Sequence, residues 1–584
     1  MRMTKIVATI GPASSSEDII RGLVSAGMDA ARVNFSHGNY EDHTEVVAIL
    51  KKVFSEMGVH IPIILDTKGP EIRIKKFENN SIFINQGEIF TLTTEDILGN
   101  NEIVSVTYED LPKDVQVGSR ILLDDGLLEL KVRGIEGQRI ECVAVNSGPL
   151  SNNKGVNIPD VYVNLPSLTN KDIEDIKFGI QQGFDYIAAS FIRSANDVLN
   201  IRDVLEENDG QHIMIIAKIE SRDGVNNIDS ILEVADGIMV ARGDLGVEIP
   251  AEEVPLVQKM LIQKSNDMGR PVITATQMLE SMVNNPRPTR AEANDVANAI
   301  FDGTDAIMLS GETAKGKYPA EAVQTMANIA VTTERAIEYN AQLLSRRHRL
   351  YTNITNAIAY AACTTAVDLG SSCIVTVTDS GFTPRMVSSF RPDFPILAIT
   401  TNIVKCRQLR LTWGCVPCVV KDVFGNDEVF DVAHKKSVEL GLATDGDTIV
   451  IAAGVPVNVA STTNTLRVQT VGDVITSGRG IGGKIVRGVA HVVKVFEEAE
   501  KYFKHGDILI TTTTNDEMMP IIKRASAMVV GSWENVDNSH AETVAKALDK
   551  PLIVSSHKVV DVVPQNTPIT VDTTKGLVYR GFKN

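Results

Sequence analysis

The chain has 584 residues, and its 57 Lys and Arg against 74 Asp and Glu give a net charge of −17. At about 150 residues per domain, this length predicts three to five domains. An acidic chain of this size is a poor candidate for binding nucleic acid, although local cations can still bind anionic small molecules. Since no apolar run reaches about 18 residues, we expect no membrane span. Six cysteines are too few for a disulfide framework, which favours the cytoplasm.

Eight short apolar runs recur along the first part of the chain, and each is followed by an amphipathic stretch with helical periodicity. Runs that are apolar throughout are typical of parallel strands buried on both faces. Eight such units in succession predict a TIM (β/α)8 barrel. The predicted strands are Ile6–Ile10, Ala31–Phe35, Ile61–Leu65, Tyr186–Phe191, Ile213–Ile219, Gly237–Ala241, Pro271–Ala275 and Ala306–Leu309.

The spacing between these runs is regular except between the third and the fourth, where roughly 90 to 100 additional residues form short alternating patterns. Alternation between Gly and Asp turns predicts an inserted all-β cap domain. Later in the chain, a new βα pattern predicts an α/β C domain, and a Gly- and Thr-rich stretch begins a smaller fourth domain. The predicted divisions are 1–69 with 169–345 (barrel), 70–168 (cap), 346–473 (C domain) and 474–584 (C-terminal domain).

Polar side chains follow six of the eight predicted barrel strands, at the ends where TIM barrels carry catalytic groups. Lys218 and Glu220 are two positions apart on one strand and therefore point to the same face. Glu220 and Asp244 follow adjacent strands, so they can share one divalent ion. Two carboxylates plus substrate oxygens suit Mg²⁺ or Mn²⁺. Ion pairing at the barrel end is the alternative, but it explains only one or two of the six groups.

The same strand ends carry fixed positive charge suited to phosphoryl oxygens, on Arg32, Arg73 and Lys218. A further group supplies uncharged oxygens and one carboxylate, which fits a monovalent cation: Asn34, Ser36, Asp66 and Thr67. Cations around a phosphoryl group, without an obvious covalent nucleophile, favour direct phosphoryl transfer by positioning and electrostatics.

Three other motifs have ordinary structural interpretations. Gly311–Lys317 nearly spells a P-loop, but Tyr318 stands where Ser or Thr is required. Gly478–Gly483 fits G-x-G-x-x-G, but the residues after it alternate like a strand instead of forming a helix. Cys415 and Cys418 form a C-x-x-C inside an apolar strand, with neither a second pair nor nearby histidines to complete a zinc site.

At these strand ends the chain resembles the pyruvate kinase family, over roughly residues 1 to 473. The family fold is a TIM barrel with a β-barrel cap and an α/β C domain, which agrees with the division above. The matching strings are Lys5–Pro12, Arg32–Gly38, Leu65–Arg73, Val240–Glu248, Ile273–Leu279 and Met308–Thr313.

The resemblance implies transfer of the phosphoryl group of phosphoenolpyruvate to ADP, leaving an enolate that is protonated to pyruvate. Glu220 and Asp244 resemble the divalent-metal ligands of the family. Lys218 resembles the lysine that stabilises the transferring phosphoryl group, and Arg32 the arginine that holds the phosphate. The resemblance also implies a homotetramer.

Thr276, with the backbone around Gly243 and the neighbouring Asp244, resembles the site of the substrate carboxylate. Two routes for protonating the enolate remain open. In one, the proton comes through Thr276, a bound water and Glu312; in the other, it comes from Lys218.

The resemblance places Arg73 and Lys154 on the nucleotide side, together with Asn34 and His37. It also matches K⁺ ligands at Asn34, Ser36, Asp66 and Thr67. Glu71 occupies the position at which family members with Glu need K⁺ and those with Lys do not. The chain departs from the family at Ser221, where Asn is usual, and at Ile74-Lys75, where Thr-Gly is usual.

The C domain carries a hydroxyl-rich loop before a predicted helix, and such loops bind phosphate through backbone amides. An ordinary helix cap is the alternative. The loop resembles the phosphate grip of the family's effector site, at Thr378, Ser380, Gly381, Phe382 and Thr383. The second effector loop, Val455–Ser461, lacks the arginine and glycines of members that bind fructose bisphosphate. A phosphorylated monoester such as AMP or a sugar phosphate is therefore the expected effector.

The C-terminal domain resembles the mobile phosphohistidine domain of phosphoenolpyruvate-utilising enzymes. His540 falls on the phosphorylated histidine of that motif, but Val536-Asp537 replaces the family's Gly-Gly. We therefore interpret His540 as a helix-cap residue without chemistry. Thr511–Thr514 and Leu552–Val554 are predicted strands of this domain.

Two alternative functions share part of this pattern. A Mg²⁺-dependent lyase or aldolase on a related barrel would use the Glu220 and Asp244 pair but would need neither Lys218 nor the cap. A regulatory protein with an inactive barrel would need none of the strand-end residues, all of which are present.

Overall fold

The computed structural model describes residues 1–161, 163–346, 353–421, 428–454, 463–494, 501–531, 539–555 and 558–582. The chain divides into two compact units. The first comprises residues 1–364, 376–424 and 452–465, and the second comprises 365–375, 425–451 and 466–584. Within the described residues, no helix combines the length and apolar character that a membrane crossing requires.

The first unit contains a closed barrel of eight parallel strands, so the predicted TIM barrel is confirmed. Strands that are neighbours in the chain are also neighbours in the barrel, and the last pairs with the first. The third and fourth strands pair directly although the cap lies between them in sequence. The strands are Lys5–Ile10, Ala30–Asn34, Ile63–Asp66, Tyr186–Ala189, Met214–Ile219, Gly237–Ala241, Val272–Ala275 and Ala306–Leu309.

The helices of the barrel begin at recognisable capping residues. Thr169, Ser194 and Thr289 each form a capping box with an acidic residue three positions later. The α-helices that accompany the barrel are Glu17–Ala26, Tyr40–Glu56, Asn170–Gln181, Ala195–Glu207, Arg222–Asn226, Ile228–Val234, Arg242–Glu248, Val254–Asp267, Arg290–Phe301, Gly311–Ala314, Pro319–Glu334 and Tyr339–Arg346, with a 3-10 helix at Glu280–Val283.

The insertion after the third strand forms a seven-stranded sheet and a two-stranded sheet, as its alternating sequence predicts. Apolar residues that alternate along these strands pack into a separate core. The strands are Ile72–Arg73, Ser81–Ile84, Ile89–Thr93, Ile103–Ser105, Arg120–Leu123, Leu128–Glu136, Arg139–Ala144, Gly148–Ser151 and Gly155–Asn157, with a short helix at Leu111–Asp114.

A five-stranded sheet follows the barrel in sequence, and it confirms the α/β character of this region. In spatial order its strands are Cys415–Val419, Ile396–Thr400, Cys373–Val377, Thr448–Gly454 and Thr463–Thr470. The α-helices are Ile354–Leu369, Phe382–Ser389, Ile403–Leu409 and Glu428–Glu439. Cys415 and Cys418 lie together on one strand, as their structural interpretation requires.

The second unit contains a smaller closed barrel of seven strands. They are Val474–Ile481, Ile485–Val493, Ile508–Thr511, Ala527–Gly531, Leu552–Ser555, Pro568–Asp572 and Leu577–Arg580. The helices are Met519–Arg524, Ser539–Ala547 and Val559–Val562, with a 3-10 helix at Asp516–Met518. The predicted strand at Thr511–Thr514 is wrong, because the buried apolar residues of this strand precede Thr511 and the later threonines form a turn.

The G-x-G-x-x-G motif lies on a strand and in the turn after it, as its structural interpretation requires. A Cβ atom at Gly478 would lie 2.0 Å from the carbonyl oxygen of Val554, and one at Gly480 would lie 2.0 Å from that of Thr573. These glycines therefore permit close approach of neighbouring backbone, and they form no dinucleotide fingerprint.

Candidate active site

Four charged side chains of alternating sign form a buried network at the carboxyl ends of the second, third and fifth barrel strands. The guanidinium of Arg32 donates from Nε to Asp66 Oδ2 at 2.7 Å. The ammonium of Lys218 lies 3.2 Å from Asp66 Oδ1 and 3.0 Å from Glu220 Oε1. All four side chains are buried. The sequence predicted each of them as a site residue, and the structure places them in direct contact.

The network shifts the pKa values of its members. Burial would raise the pKa of Asp66, but the charges of Arg32 and Lys218 outweigh it and hold this pKa below its usual value. Burial would lower the pKa of Lys218, but Asp66 and Glu220 raise it above its usual value. Asp66 is therefore a carboxylate and Lys218 an ammonium at neutral pH.

Glu220 is the member of the network whose charge is least compensated. Burial raises its pKa to about 7, and Asp244 contributes to the rise while Lys218 opposes it. Its Oε2 accepts from the backbone N–H of Phe191 at 2.6 Å. Because the nearby Asp244 disfavours the charged form of Glu220, a divalent cation held by the two carboxylates would stabilise the pair. The pair therefore fits the predicted ion.

Asp244 reaches this site from a helix and not from a strand end. The sixth strand ends at Ala241, and the helix Arg242–Glu248 begins directly after it. Asp244 is exposed and lines a cavity of about 580 Å³. The described residues contain no cluster of three or more His, Cys, Asp or Glu side chains able to hold a metal, so Glu220 and Asp244 would need substrate or water oxygens to complete a coordination shell.

Thr276 lies beside Gly243, as the sequence predicted. Its Oγ1 accepts from the Gly243 backbone N–H at 2.8 Å and donates to the carbonyl of Ala275 at 2.6 Å. The φ of Thr276 is +68°, in the left-handed region that a β-branched residue rarely occupies. The Thr276 hydroxyl and the Gly243 amide thus form one fixed polar group at the end of the seventh strand.

Glu312 is buried and bonded on both carboxylate oxygens. Oε1 accepts from the backbone N–H of Leu279 at 2.9 Å, and Oε2 accepts from that of Ser310 at 2.8 Å. Burial raises the pKa of this carboxyl group. Glu312 therefore joins the loops that follow the seventh and eighth strands.

The 580 Å³ cavity is lined both by the cap and by the barrel. Arg73 contributes from the cap and donates to both oxygens of Glu71, at 2.7 and 2.8 Å. Lys154 lies 2.8 Å from Asp124 on the same side. The cavity therefore joins two of the predicted nucleotide-side cations to Asp244. His37 is exposed and lies outside this lining.

Three protein families match successive parts of the chain. The family model described as pyruvate kinase, barrel domain, matches residues 1–323, and the one described as pyruvate kinase, alpha/beta domain, matches residues 356–469. The model described as PEP-utilising enzyme, mobile domain, matches residues 503–576. A pyruvate kinase of Geobacillus stearothermophilus is 51% identical over 582 residues, which are 99% of each chain.

The chain belongs to the pyruvate kinase family. It is accordingly a phosphotransferase. A pyruvate kinase of Bacillus licheniformis is 50% identical over 583 residues, covering 100% of this chain and 99% of the relative. The crystal structure of a pyruvate kinase from Cryptosporidium parvum matches with 38% identity and a TM-score of 0.77, over 80% of this chain and 96% of that one.

In this pyruvate kinase fold, Ser190 is a site residue that sequence reasoning missed. Lys218 Nζ donates to Ser190 Oγ at 2.6 Å, and Ser190 Oγ donates to the carbonyl of Thr67 at 2.7 Å. Ser190 follows the fourth barrel strand directly, so the strand-end rule that found the other residues also applies to it. It connects the lysine to the loop after the third strand.

The four predicted K⁺ ligands lie at the ends of the second and third barrel strands and at the starts of the loops that follow them. Asn34 Oδ1 accepts from the Ser36 backbone N–H at 3.0 Å, and Thr67 Oγ1 accepts from the Ser190 N–H at 3.1 Å. Asp66 supplies the one carboxylate, and Arg32 and Lys218 share it. The four residues offer neutral oxygens and one partly compensated charge, a donor set that fits a monovalent cation.

Ser221, a departure from the usual family sequence, has a clear local role. It is the N-cap of the helix Arg222–Asn226, and its side chain accepts from the Gly224 backbone N–H at 3.2 Å. Serine and asparagine are both favoured N-cap residues, so the substitution preserves the start of this helix.

The predicted effector loop precedes the helix Phe382–Ser389. Thr378 Oγ1 accepts from the Gly381 N–H at 3.0 Å, and Ser380 Oγ accepts from the Phe382 N–H at 3.3 Å. The hydroxyls of Thr383 and Thr463 bond to one another. Ser380 is exposed, whereas Thr378 and Thr383 are buried. The second effector loop, Val455–Ser461, lies outside the described residues.

His540 lies at the start of the helix Ser539–Ala547 in the second unit. Its Nδ1 lies 2.9 Å from Thr514 Oγ1, and its Nε2 lies 3.2 Å from Asp516 Oδ1. Both ring nitrogens thus have partners on the loop that follows the strand Ile508–Thr511. The Val536-Asp537 replacement lies outside the described residues.

Proposed function

We propose that the chain transfers the phosphoryl group of phosphoenolpyruvate to ADP and releases pyruvate and ATP in the cytoplasm. The observation that carries this proposal is the buried network of Arg32, Asp66, Lys218 and Glu220 beside the cavity at the carboxyl end of the barrel. It supplies cations fixed in place and a carboxylate pair, without a covalent nucleophile. Such a site favours direct transfer between two bound substrates.

Lys218 and Arg32 bind the phosphoryl oxygens in this proposal. Asp66 holds both cations from one side, so neither must reorganise as the phosphoryl group moves from the enol oxygen to ADP and negative charge develops on the enolate oxygen. Glu220 and Asp244 would hold Mg²⁺ or Mn²⁺, which neutralises phosphoryl charge when bound. Asn34, Ser36, Asp66 and Thr67 would hold K⁺, which adds a further positive charge at the same end of the barrel.

Thr276 and Gly243 bind the substrate carboxylate, since their two donors lie side by side and can exchange their present acceptors, Thr276 Oγ1 and the Ala275 carbonyl, for the carboxylate oxygens. Two proton donors to the enolate remain as hypotheses. Glu312 holds the loop around Thr276 and can relay a proton to it through water, and the protonated Lys218 can donate directly. Asp244 supports substrate binding from the helix Arg242–Glu248, which begins directly after the sixth strand.

The nucleotide lies in the cavity between cap and barrel, against Arg73 and Lys154. Asn34 and His37, which lie outside the lining of this cavity, are proposed to contact the nucleotide from the end of the second strand and the loop after it. This cavity separates the proposal from the lyase alternative, since a lyase has no second substrate for the cap to bind. We also propose the four domain divisions stated above.

Regulation is proposed to act through the loop Thr378–Thr383. Exposed Ser380 and the N–H groups at the start of the helix Phe382–Ser389 suit the oxygens of one phosphate. The expected effector is a phosphorylated monoester, such as AMP or a sugar phosphate, acting on a homotetramer. We propose a structural or regulatory role for the C-terminal domain, because a barrel that transfers the phosphoryl group directly to ADP needs no carrier histidine.

The experiment that tests the proposal follows the fate of the phosphoryl group by ³¹P NMR. With phosphoenolpyruvate, ADP, Mg²⁺ and K⁺, the proposal predicts a γ-phosphate signal of ATP that grows as the phosphoenolpyruvate signal falls. Inorganic phosphate growing in place of ATP would contradict transfer to the nucleotide. Lys218→Met is the control, since it removes the ammonium at similar side-chain length.

A further inference from the structure

Arg242 is the residue that holds the backbone of Thr276. Its Nη2 donates to the carbonyl oxygen of Thr276 at 2.7 Å, and its Nε donates to that of Ala275 at 3.2 Å. Its side chain is only 10% exposed. Arg242 itself follows the sixth strand, so its side chain joins the end of that strand to the end of the seventh.

Asp295 fixes the orientation of Arg242. The two carboxylate oxygens of Asp295 accept from Nη1 and Nη2 of Arg242 at 2.7 and 2.8 Å, a bidentate pair. Asp295 belongs to the helix Arg290–Phe301 outside the barrel. The planar guanidinium is therefore held by one carboxylate, while Nε and Nη2 also donate to the backbone of the seventh strand end and Nη1 also donates to Gln258 Oε1.

The backbone that Arg242 holds is strained. Thr276 and Gln277 have φ values of +68° and +54°, and neither is glycine. Left-handed conformations of such residues persist only where their surroundings enforce them, and they are frequent at functional sites. The strain places Thr276 Oγ1 at the Gly243 N–H, 2.8 Å away.

We propose that Arg242 and Asp295 are positioning residues for the substrate carboxylate. They hold Thr276 in its left-handed conformation, so that its hydroxyl stays paired with the Gly243 amide. Neither residue is assigned a contact with substrate. The inference rests on the proposed role of Thr276 in binding phosphoenolpyruvate.

The test compares Arg242→Lys and Asp295→Asn with the wild-type enzyme. Lysine keeps the charge but lacks the planar fork, so it cannot hold both carbonyls and Asp295 together. We expect kcat/KM for phosphoenolpyruvate to fall about 10- to 100-fold in each variant, the loss that small misplacements of a binding group produce. KM for ADP should change little, since the nucleotide-side residues are untouched.

Arg202→Lys is the matched control. Arg202 pairs with Asp236 at 2.7 Å and is also largely covered, but it has no contact with the seventh strand end. A purely structural role for Arg242 would lower Tm as Arg202→Lys does and would leave KM for phosphoenolpyruvate unchanged. Equal kinetics in the Arg242→Lys and Arg202→Lys enzymes would overturn the inference.

A double-mutant cycle adds a second criterion. Because Arg242 and Asp295 act as one unit, the double variant should lose no more than the worse single variant. Fully additive losses would overturn the inference.

The Thr276→Ala variant distinguishes failure of the inference from failure of the proposed function. An active Thr276→Ala enzyme would refute the role of Thr276 and the inference with it. An impaired Thr276→Ala enzyme alongside a normal Arg242→Lys enzyme would refute the inference alone.

Discussion

Asp66 lies 3.2 Å from Lys218, and through its other oxygen it holds Arg32 at 2.7 Å. One buried carboxylate therefore orients the two cations proposed to bind the transferring phosphoryl group. Removing it would leave two buried positive charges without their shared partner. The arrangement explains how Lys218 can be buried and still be charged at neutral pH, because Asp66 and Glu220 raise its pKa.

Asp244→Asn should abolish turnover and leave the fold intact. The variant keeps the shape of the side chain but removes one of the two charges proposed to hold the divalent ion, which should cost several kcal/mol in the transition state. Initial rates measured over a range of Mg²⁺ concentrations, with Tm as the check on folding, would show it. Asp229→Asn, on an exposed position of a barrel helix, is the control. Near-wild-type turnover at ordinary Mg²⁺ would refute the metal assignment.

Activity should require K⁺, and Glu71→Lys should relieve that requirement. The wild-type Glu71 carboxylate lies 2.8 Å from Lys68 and 2.7 Å from Arg73, so its charge is already shared between two cations. Lysine would place an ammonium near the oxygens proposed to hold the ion. Rates in K⁺ and in a bulky quaternary ammonium salt, at constant ionic strength, provide the measurement.

Glu71→Gln shows whether the K⁺ requirement is relieved by losing the carboxylate charge or by gaining an ammonium. It removes the negative charge without adding an ammonium, so the K⁺ requirement should remain. Equal wild-type rates with and without K⁺ would refute this prediction.

A phosphorylated monoester should activate the enzyme through Thr378, Ser380 and Thr383. An effector that binds the active state more tightly shifts the population in proportion to its differential affinity. Ser380→Asp adds a like charge at the exposed hydroxyl of the loop, so it should abolish activation and leave the saturated rate unchanged. Ser389→Asp, at the other end of the same helix, is the control.

Rates at subsaturating phosphoenolpyruvate, with AMP, a sugar monophosphate or fructose 1,6-bisphosphate added, test the specificity. We expect activation by AMP or by a sugar monophosphate. Strong activation of the wild-type enzyme by the bisphosphate would contradict the prediction for the second effector loop.

His540 should not carry a phosphoryl group. Incubation with labelled phosphoenolpyruvate and Mg²⁺ without ADP should leave no acid-labile, base-stable label, because Thr514 and Asp516 engage both ring nitrogens. Stoichiometric label that disappears in His540→Ala would show a working phosphohistidine.

Deleting residues from about 474 onward should leave catalysis and reduce stability or change the effector response. The barrel carries every proposed catalytic residue, which supports the first expectation. Residues 466–584 form one compact unit with 365–375 and 425–451, so truncation removes packing that this unit uses. Thermal unfolding and effector titration of the truncated enzyme check both effects. Complete loss of turnover in a folded truncated enzyme would contradict the assignment.

The sequence predicted the barrel and its strand-end residues because buried parallel strands are apolar throughout and catalytic groups follow them. It could not predict that Asp66 bridges Arg32 and Lys218, since such pairing depends on side-chain direction across strands far apart in sequence. The same rule would have identified Ser190, because this residue directly follows the fourth barrel strand.

The roles of Arg242 and Asp295 could not be predicted from the sequence, for a different reason. Asp295 on its helix and Arg242 after the sixth strand come together only in the folded structure. The left-handed backbone of Thr276 cannot be recognised from the amino-acid sequence. The predicted strand at Thr511–Thr514 was wrong because β-branched threonines favour strands in isolation, whereas burial selected the preceding Ile508–Ile510.

The most direct test of the central claim is pyruvate formation from phosphoenolpyruvate, measured with and without ADP at fixed Mg²⁺ and K⁺. The account predicts pyruvate and ATP in equal amounts when ADP is present and no pyruvate above background when it is omitted. It also predicts loss of both products in Lys218→Met. Pyruvate formed at the same rate without ADP would contradict phosphoryl transfer to the nucleotide and favour a lyase or a phosphatase.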